Sequence, residues 1–185
     1  MIVALRLVAV LTVVTGLLYP LAMTGIAQLL FPRQAHGSLI LRDGRVAGSE
    51  LIGQHFEDPR YFWPRLSATS PAPYHPASSS GSNYGPLNAD LKKAMDARRA
   101  ALLTIDPGNT APIPIDLLTA SGSGLDPHIG PEAADYQAAR VARARGIEPA
   151  KVAALIAKHT QQRQFGFLGQ PVVNVLLLNR ELDGL

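Results

Sequence analysis

Residues 7–31 read LVAVLTVVTGLLYPLAMTGIAQLLF, 25 positions without a charge, bounded by Arg6 and Arg33. At about 1.5 Å of rise per residue, a helix over this stretch is roughly 37 Å long, enough to cross a hydrocarbon core of about 30 Å. A cleaved signal peptide is the competing reading. Its apolar region is normally shorter, and here the run continues through Leu29, Leu30 and Phe31, beyond the small residues Gly25 and Ala27. The expectation is an uncleaved membrane anchor over residues 1–32, followed by a soluble domain over residues 33–185.

Inside the run, Thr12, Gly16, Pro20, Thr24 and Gln28 recur at every fourth position, whereas Leu11, Leu17, Leu18, Leu21 and Leu29 suit lipid. Small residues let a second membrane helix approach closely, and polar ones hydrogen-bond across the contact. The plainer alternative is that the threonines bond back to their own helix and Pro20 is a tolerated kink. Because the spacing is sustained, we read the row as a helix-packing face. Charge leaves the orientation open. Arg33, Arg42 and Arg45 lean towards a cytoplasmic C-terminal side, yet long domains translocate regardless of such charges.

The remaining residues, about 150, suit one domain with one core. A net charge of +3 is too small to point to nucleic acid, and the absence of cysteine excludes disulfide and thiolate chemistry. Fifteen prolines and 16 glycines predict many loops.

Residues 37–41 read as a strand, with Asp43-Gly44 as a hairpin turn and Val46 opening the return strand. Phe56, Tyr61, Phe62 and Trp63 form an aromatic cluster suited to a core or interface. Residues 67–86 are a long polar loop. Pro86 suits the first position of a helix whose apolar stripe (Leu87, Leu91, Ala94, Met95, Leu102) runs to about Leu103. Residues 115–120 read as a strand. Pro131 opens a helix ended by Gly146, and Pro149 opens another with Val152, Leu155, Ile156 and His159 on one face. Residues 172–178 read as a central strand, apolar on both faces apart from Asn174. Helices and strands mix without strict alternation, so the expected class is α+β: one transmembrane helix and one compact mixed domain.

Ser123, Asp126 and His128 invite comparison with a hydrolase, giving a membrane-anchored envelope hydrolase as the alternative function. Three residues in one short loop rarely make a triad, and the Gly-x-Ser-x-Gly spacing is absent. The loop at 121–128 precedes a helix start, where anions are favoured, but no Walker lysine follows. As a plain turn, Asp126 would bond its own backbone ahead of Pro127. The five histidines share no metal-ligand spacing, so no metal site is expected. Residues 138–158 have the outline of a helix-turn-helix, for which two packed core helices is the commoner reading.

Several blocks are familiar together. Ser38-Leu39-Ile40, Gly48-Ser49 and Leu51-Ile52-Gly53-Gln54 come first. Tyr61-Phe62, Arg65 and Ser67-Ala68 follow, then Ser80-Gly81-Ser82-Asn83. Next is Leu118 through Asp126, with Gln137, Arg140-Val141-Ala142 and Ala144-Arg145. The last is Gly169-Gln170-Pro171 through Leu176, with Leu178-Asn179 and Leu182-Asp183. In this order and spacing the chain resembles the C subunit of the Kdp potassium-transporting ATPase over nearly its whole length. It departs from the family at Leu66, where proline is usual, and at Ser79, where glycine is usual.

The resemblance implies a non-catalytic, one-pass accessory subunit in a bacterial inner membrane, with its soluble domain on the periplasmic side. Its partners would be the potassium-binding channel-like subunit, the P-type ATPase subunit and membrane lipid, with no nucleic acid. No Asp-Lys-Thr-Gly-Thr phosphorylation motif is present. The family is described as a catalytic chaperone that raises the ATPase subunit's affinity for ATP. By position, that nucleotide-related role falls on Ser121, Gly122, Ser123, Gly124 and Gln137. A domain outside the cytoplasm is separated from ATP, so assembly is the firmer expectation than nucleotide contact.

Overall fold

The computed structural model describes residues 1–184 and divides the chain into two compact units, Met1–Ser49 and Glu50–Leu185. In the first unit, one apolar helix spans Ile2–Leu30. It consists of α1 (Ile2–Val13), a π-helical stretch (Val14–Leu18) and α2 (Tyr19–Leu30). The π turn has a local cause. Pro20 has no N–H to give to the preceding turn, and just before it the Tyr19 N–H reaches back to the Val14 carbonyl. The turn also changes which residues share a face. In an unbroken α-helix, every fourth residue drifts by about 40°, or about 160° from Thr12 to Gln28. Five residues wound at about 80° each take roughly 100° off that drift and draw the row together.

A short helix, α3 (Pro32–Ala35), leads to β1 (Leu39–Arg42) and β2 (Arg45–Ser49), an antiparallel hairpin. Asp43 and Gly44 both have positive φ, 52° and 75°, the conformation a two-residue hairpin turn requires.

The second unit is built around α4 (Ala89–Ile105), α5 (Ile115–Leu118), β3 (His128–Ile129), α6 (Pro131–Arg145), α7 (Pro149–His159), β4 (Thr160–Gln161), β5 (Val172–Asn174) and α8 (Val175–Leu182). β5 is the centre of a three-stranded antiparallel sheet in the order β3-β5-β4. The core gathers Phe62 and Trp63 with Leu102, Leu117, Ile129, Val141, Val152, Val173 and Leu178.

Three boundaries differ from the sequence reading. The helix expected at Pro86 starts at Ala89, because the Asn88 side chain accepts from the Asp90 N–H at 2.8 Å and caps it. The strand expected at 115–120 is a single helical turn, and only Ala120 pairs in strand fashion, with Leu66. The strand expected at 172–178 stops at Asn174, whose side chain accepts from the Leu177 N–H at 3.1 Å and starts α8. Val175, Leu178, Asn179 and Leu182 then bury one helical face. By contrast, α6 and α7 begin at Pro131 and Pro149, and Gly146 ends α6 in the left-handed region at φ 66°, as the sequence indicated. No helix or strand lies within residues 67–86.

Candidate functional site

Motif residues of the second unit converge on a strap, residues 58–69, that begins with a turn at 58–61, runs extended from Phe62 and crosses the core without a regular strand partner. Side chains satisfy its backbone. The buried Asn179 amide accepts from the Phe62 N–H at 2.8 Å and donates to the Phe62 carbonyl at 2.9 Å. One residue on, the Gln137 amide accepts from the Trp63 N–H at 2.8 Å and donates to the Trp63 carbonyl at 3.1 Å. Each amide imitates a strand neighbour for one strap residue, meeting the demand that buried backbone groups be paired.

Arginines complete the fastening. Arg140 donates to the carbonyls of Pro59 and Tyr61 and to Gln137 Oε1, while Arg98 donates to the carbonyls of Pro64 and Leu117. Their guanidiniums lie over the Trp63 ring, with centroid distances of 4.6 Å for Arg98 and 5.7 Å for Arg140. Burial lowers both arginines to about 10, so both stay charged at neutral pH. Arg145 bonds the Arg60 and Leu182 carbonyls and Asp183, and Asp183 accepts from the Tyr61 hydroxyl at 2.9 Å. Two of the three arginines of α6 that gave residues 138–158 a helix-turn-helix outline, Arg140 and Arg145, therefore serve the strap, whereas Arg143 pairs with Asp106.

The Ser-Gly-Ser-Gly loop is docked on the far end of the strap. The Ser121 N–H donates to the Leu66 carbonyl at 3.1 Å, and the Ser67 hydroxyl to the Gly124 carbonyl at 2.7 Å. The Ser123 carbonyl receives both the Ser80 N–H, at 2.9 Å, and the Ser79 hydroxyl, at 3.0 Å. The long polar loop is thus tied down through its second half. Gly124 has φ +68°, and a Cβ there would lie 2.6 Å from both the Ser80 carbonyl oxygen and Thr69 Cγ2. Gly122 faces open space.

Of the five nucleotide-related candidates, Ser121 is buried and Gly122, Ser123 and Gly124 lie on the docked loop. Gln137 is 1% exposed, and its oxygen and nitrogen are both engaged with Trp63, Arg140 and Ala133. The hydrolase candidates are only partly brought together. His128 Nδ1 lies 3.2 Å from Asp126 Oδ1, but the Ser123 hydroxyl accepts from the Leu125 N–H, and no hydrogen bond joins Ser123 to His128 among the described residues. Burial pushes the Asp126 carboxyl up, yet the side-chain and backbone hydrogen bonds from His128 outweigh it, and the net shift is downward. A concavity of about 660 Å³ lies elsewhere, between α6 and the turn after α4, beside Asp106, Asn109, Tyr136 and Arg143. No group of three or more acidic or histidine residues able to hold a metal occurs among the described residues.

Sequence reading missed Asn179 and Arg98 as structural determinants. Their partners lie 117 and 34 residues away, so no local pattern announces them.

The family described as "KdpC: K+-transporting ATPase, c chain" matches residues 1–184. The chain is similar to the potassium-transporting ATPase KdpC subunit of Methylococcus capsulatus, at 60% identity over 182 residues, covering 98% of this chain and 96% of that one. It is equally similar to that of Sorangium cellulosum, at 60% identity over 181 residues, 98% of this chain and 95% of the other. The corresponding subunit of Dechloromonas aromatica is 59% identical over 180 residues, 97% of this chain and 94% of that one. With the apolar helix, the strap and the docked loop all inside the matched length, the chain belongs to the family of K+-transporting ATPase c chains.

Proposed function

We propose that the chain is a one-pass accessory subunit of an ATP-driven potassium importer in a bacterial inner membrane, with its second unit on the periplasmic side. Its partners are the potassium-binding channel-like subunit and the P-type ATPase subunit. Its work is to assemble and stabilise that complex, and through assembly to raise the ATPase subunit's affinity for ATP. The observation that carries this reading is the helix Ile2–Leu30, whose row of Thr12, Gly16, Pro20, Thr24 and Gln28 is left for a partner. A Cβ on Gly16 would meet only Thr12 Cγ2, at 4.0 Å, so nothing within the chain requires glycine there. In a bilayer such a position is where a second helix can come close.

Ser121, Gly122, Ser123, Gly124 and Gln137 belong to this function through the shape they give the strap and its loop. The engagement of Gln137 favours that role over direct contact with ATP. A periplasmic domain also needs no access to nucleotide for such an effect.

Gly16→Leu in the full chain, co-expressed with the channel-like and ATPase subunits, tests the proposal. The expected result is a reduced yield of complex, with the thermal unfolding of the second unit unchanged. Co-purification at the parental yield and unaltered ATP dependence would overturn the packing face. A C-terminal reporter active in the cytoplasm would overturn the orientation.

A further inference from the structure

A small cleft of about 60 Å³ opens beside the strap, walled by His55, Phe56, Pro64, Arg65, Ser67 and Arg98. Its volume corresponds to about four water-sized spheres, room for a group of a few heavy atoms. Two of its lining residues are arginines, and each keeps one donor group without a hydrogen bond among the described residues. The Arg65 Nε–H is buried without a hydrogen-bond partner. Arg98 is 8% exposed and uses Nε and Nη2 on the Leu117 and Pro64 carbonyls, leaving Nη1 without a hydrogen bond among the described residues.

Charge balance points the same way. Arg65 has one ion-pair partner among the described residues, Asp116, 3.7 Å from its Nη1, so the unbalanced charge at the cleft is that of Arg98. Both hydrogen bonds of Arg98 go to neutral carbonyls. Glu57, whose charge acts on Arg98 from a distance, is 73% exposed and paired with His55 at 2.9 Å. Buried charges are normally paired, and an unfilled guanidinium donor beside a cavity of carboxylate size is the arrangement that recognises an oxyanion.

We propose that the cleft between Arg65 and Arg98 binds a small free oxyanion, a phosphate or a carboxylate, through the unfilled N–H groups of the two guanidiniums. Arg98, already fixed against Trp63 and the strap, presents its donor without further ordering. Arg65 also donates to Thr119 and to the Ala120 carbonyl, so an anion here would tie the strap to the entrance of the Ser-Gly-Ser-Gly loop. This site goes beyond the pump reading and does not depend on it.

The test is titration of the full chain in detergent with sodium phosphate and, separately, sodium acetate, ionic strength being held constant with sodium chloride. The nitrogen–proton resonance of Arg65 Nε and thermal unfolding followed by Trp63 fluorescence are the readouts. The expected result is a saturable shift of the Arg65 resonance, with the folding constant rising about tenfold when the anion is at about nine times its dissociation constant. A response to phosphate alone identifies a phosphoryl ligand, and a response to acetate identifies a carboxylate. Arg65→Gln should abolish the stabilisation, whereas Arg60→Gln, which removes an exposed arginine paired with Asp58, should preserve it. Should Arg65→Gln fail to fold, Arg65→Lys keeps the charge without the Nε–H and should weaken binding at least tenfold, an order-of-magnitude expectation for losing the guanidinium fork. No saturable response to either anion, or an equal one in the folded Arg65 variant, overturns the site.

Discussion

Gly122 and Gly124 are two residues apart in one motif, yet the structure asks opposite things of them, and substitution by alanine separates them. At Gly124 the backbone is left-handed, φ +68°, which costs a residue with a Cβ about 1–2 kcal/mol. The new Cβ would also stand 2.6 Å from the Ser80 carbonyl and from Thr69 Cγ2. Ser80 is itself fastened by its N–H to the Ser123 carbonyl, so the loop has little room to yield. Overpacking of this kind typically costs about 1–3 kcal/mol, giving a total of roughly 2–5 kcal/mol. At Gly122 nothing lies within 4 Å and φ is outside the left-handed region, so alanine should change stability by less than about 0.5 kcal/mol. Trp63, the single tryptophan, is buried in the second unit and reports its unfolding. For a domain of this size, about 3–5 °C of melting temperature goes with each kcal/mol, so Gly124→Ala should lower the midpoint by roughly 6 °C or more. A Gly124→Ala midpoint within about 2 °C of the parent, or an equal loss from Gly122→Ala, refutes the packing argument.

Gln137→Ala leaves both backbone groups of Trp63 and one Arg140 donor short of a partner, and Asn179→Ala does the same to Phe62; each should lose about 2–4 kcal/mol in the same unfolding assay. Asp126 has a folded pKa below its ordinary value of 3.8. The unfolded chain therefore binds more protons in the window between the two values, and the stabilisation is complete above 3.8 and lost as pH falls through the folded value. Asp126→Asn should flatten the acid limb of a stability–pH curve below about pH 4; an unchanged limb would remove Asp126 as its source. Phe165 and Phe167 are 86% and 71% exposed in the turn between β4 and β5, so replacing both with serine should leave the unfolding free energy within about 0.5 kcal/mol of the parent.

The elements read correctly from sequence carry their own punctuation. Asp43-Gly44 supplies two positive φ angles, Pro131 and Pro149 supply helix starts, and Gly146 supplies a left-handed stop. The misread ones lack it. Residues 172–178 are apolar all round, and in so short a run a buried strand and a buried helix share one pattern. What divides them is Asn174, which ends β5 with its backbone and starts α8 with its side chain. Residues 115–120 form one helical turn because Asp116, within it, accepts from the Gly130 N–H at 2.8 Å, a long-range demand that strand propensity does not register.

The candidate site was legible as a set of residues but not as a mechanism. Ser121 through Gly124 and Gln137 look like a nucleotide signature when lined up along the chain. In space Gln137 closes on Trp63 and Ser121 on Leu66, so the two ends of the signature hold successive parts of one strap. Amide side chains that stand in for a missing β-strand leave no periodicity, and their partners are dozens of residues away. This coupling bears on how any ATP phenotype is read. If the strap transmits the effect, Gln137→Ala and Asn179→Ala should weaken the complex's apparent ATP affinity alike, although Asn179 lies outside the signature. If the loop instead touches nucleotide, Gly122→Ala, which leaves the strap undisturbed, should weaken it and Asn179→Ala should not. Equal losses from the two amide variants beside a silent Gly122→Ala would place the effect in the strap; the reverse pattern would refute that placement.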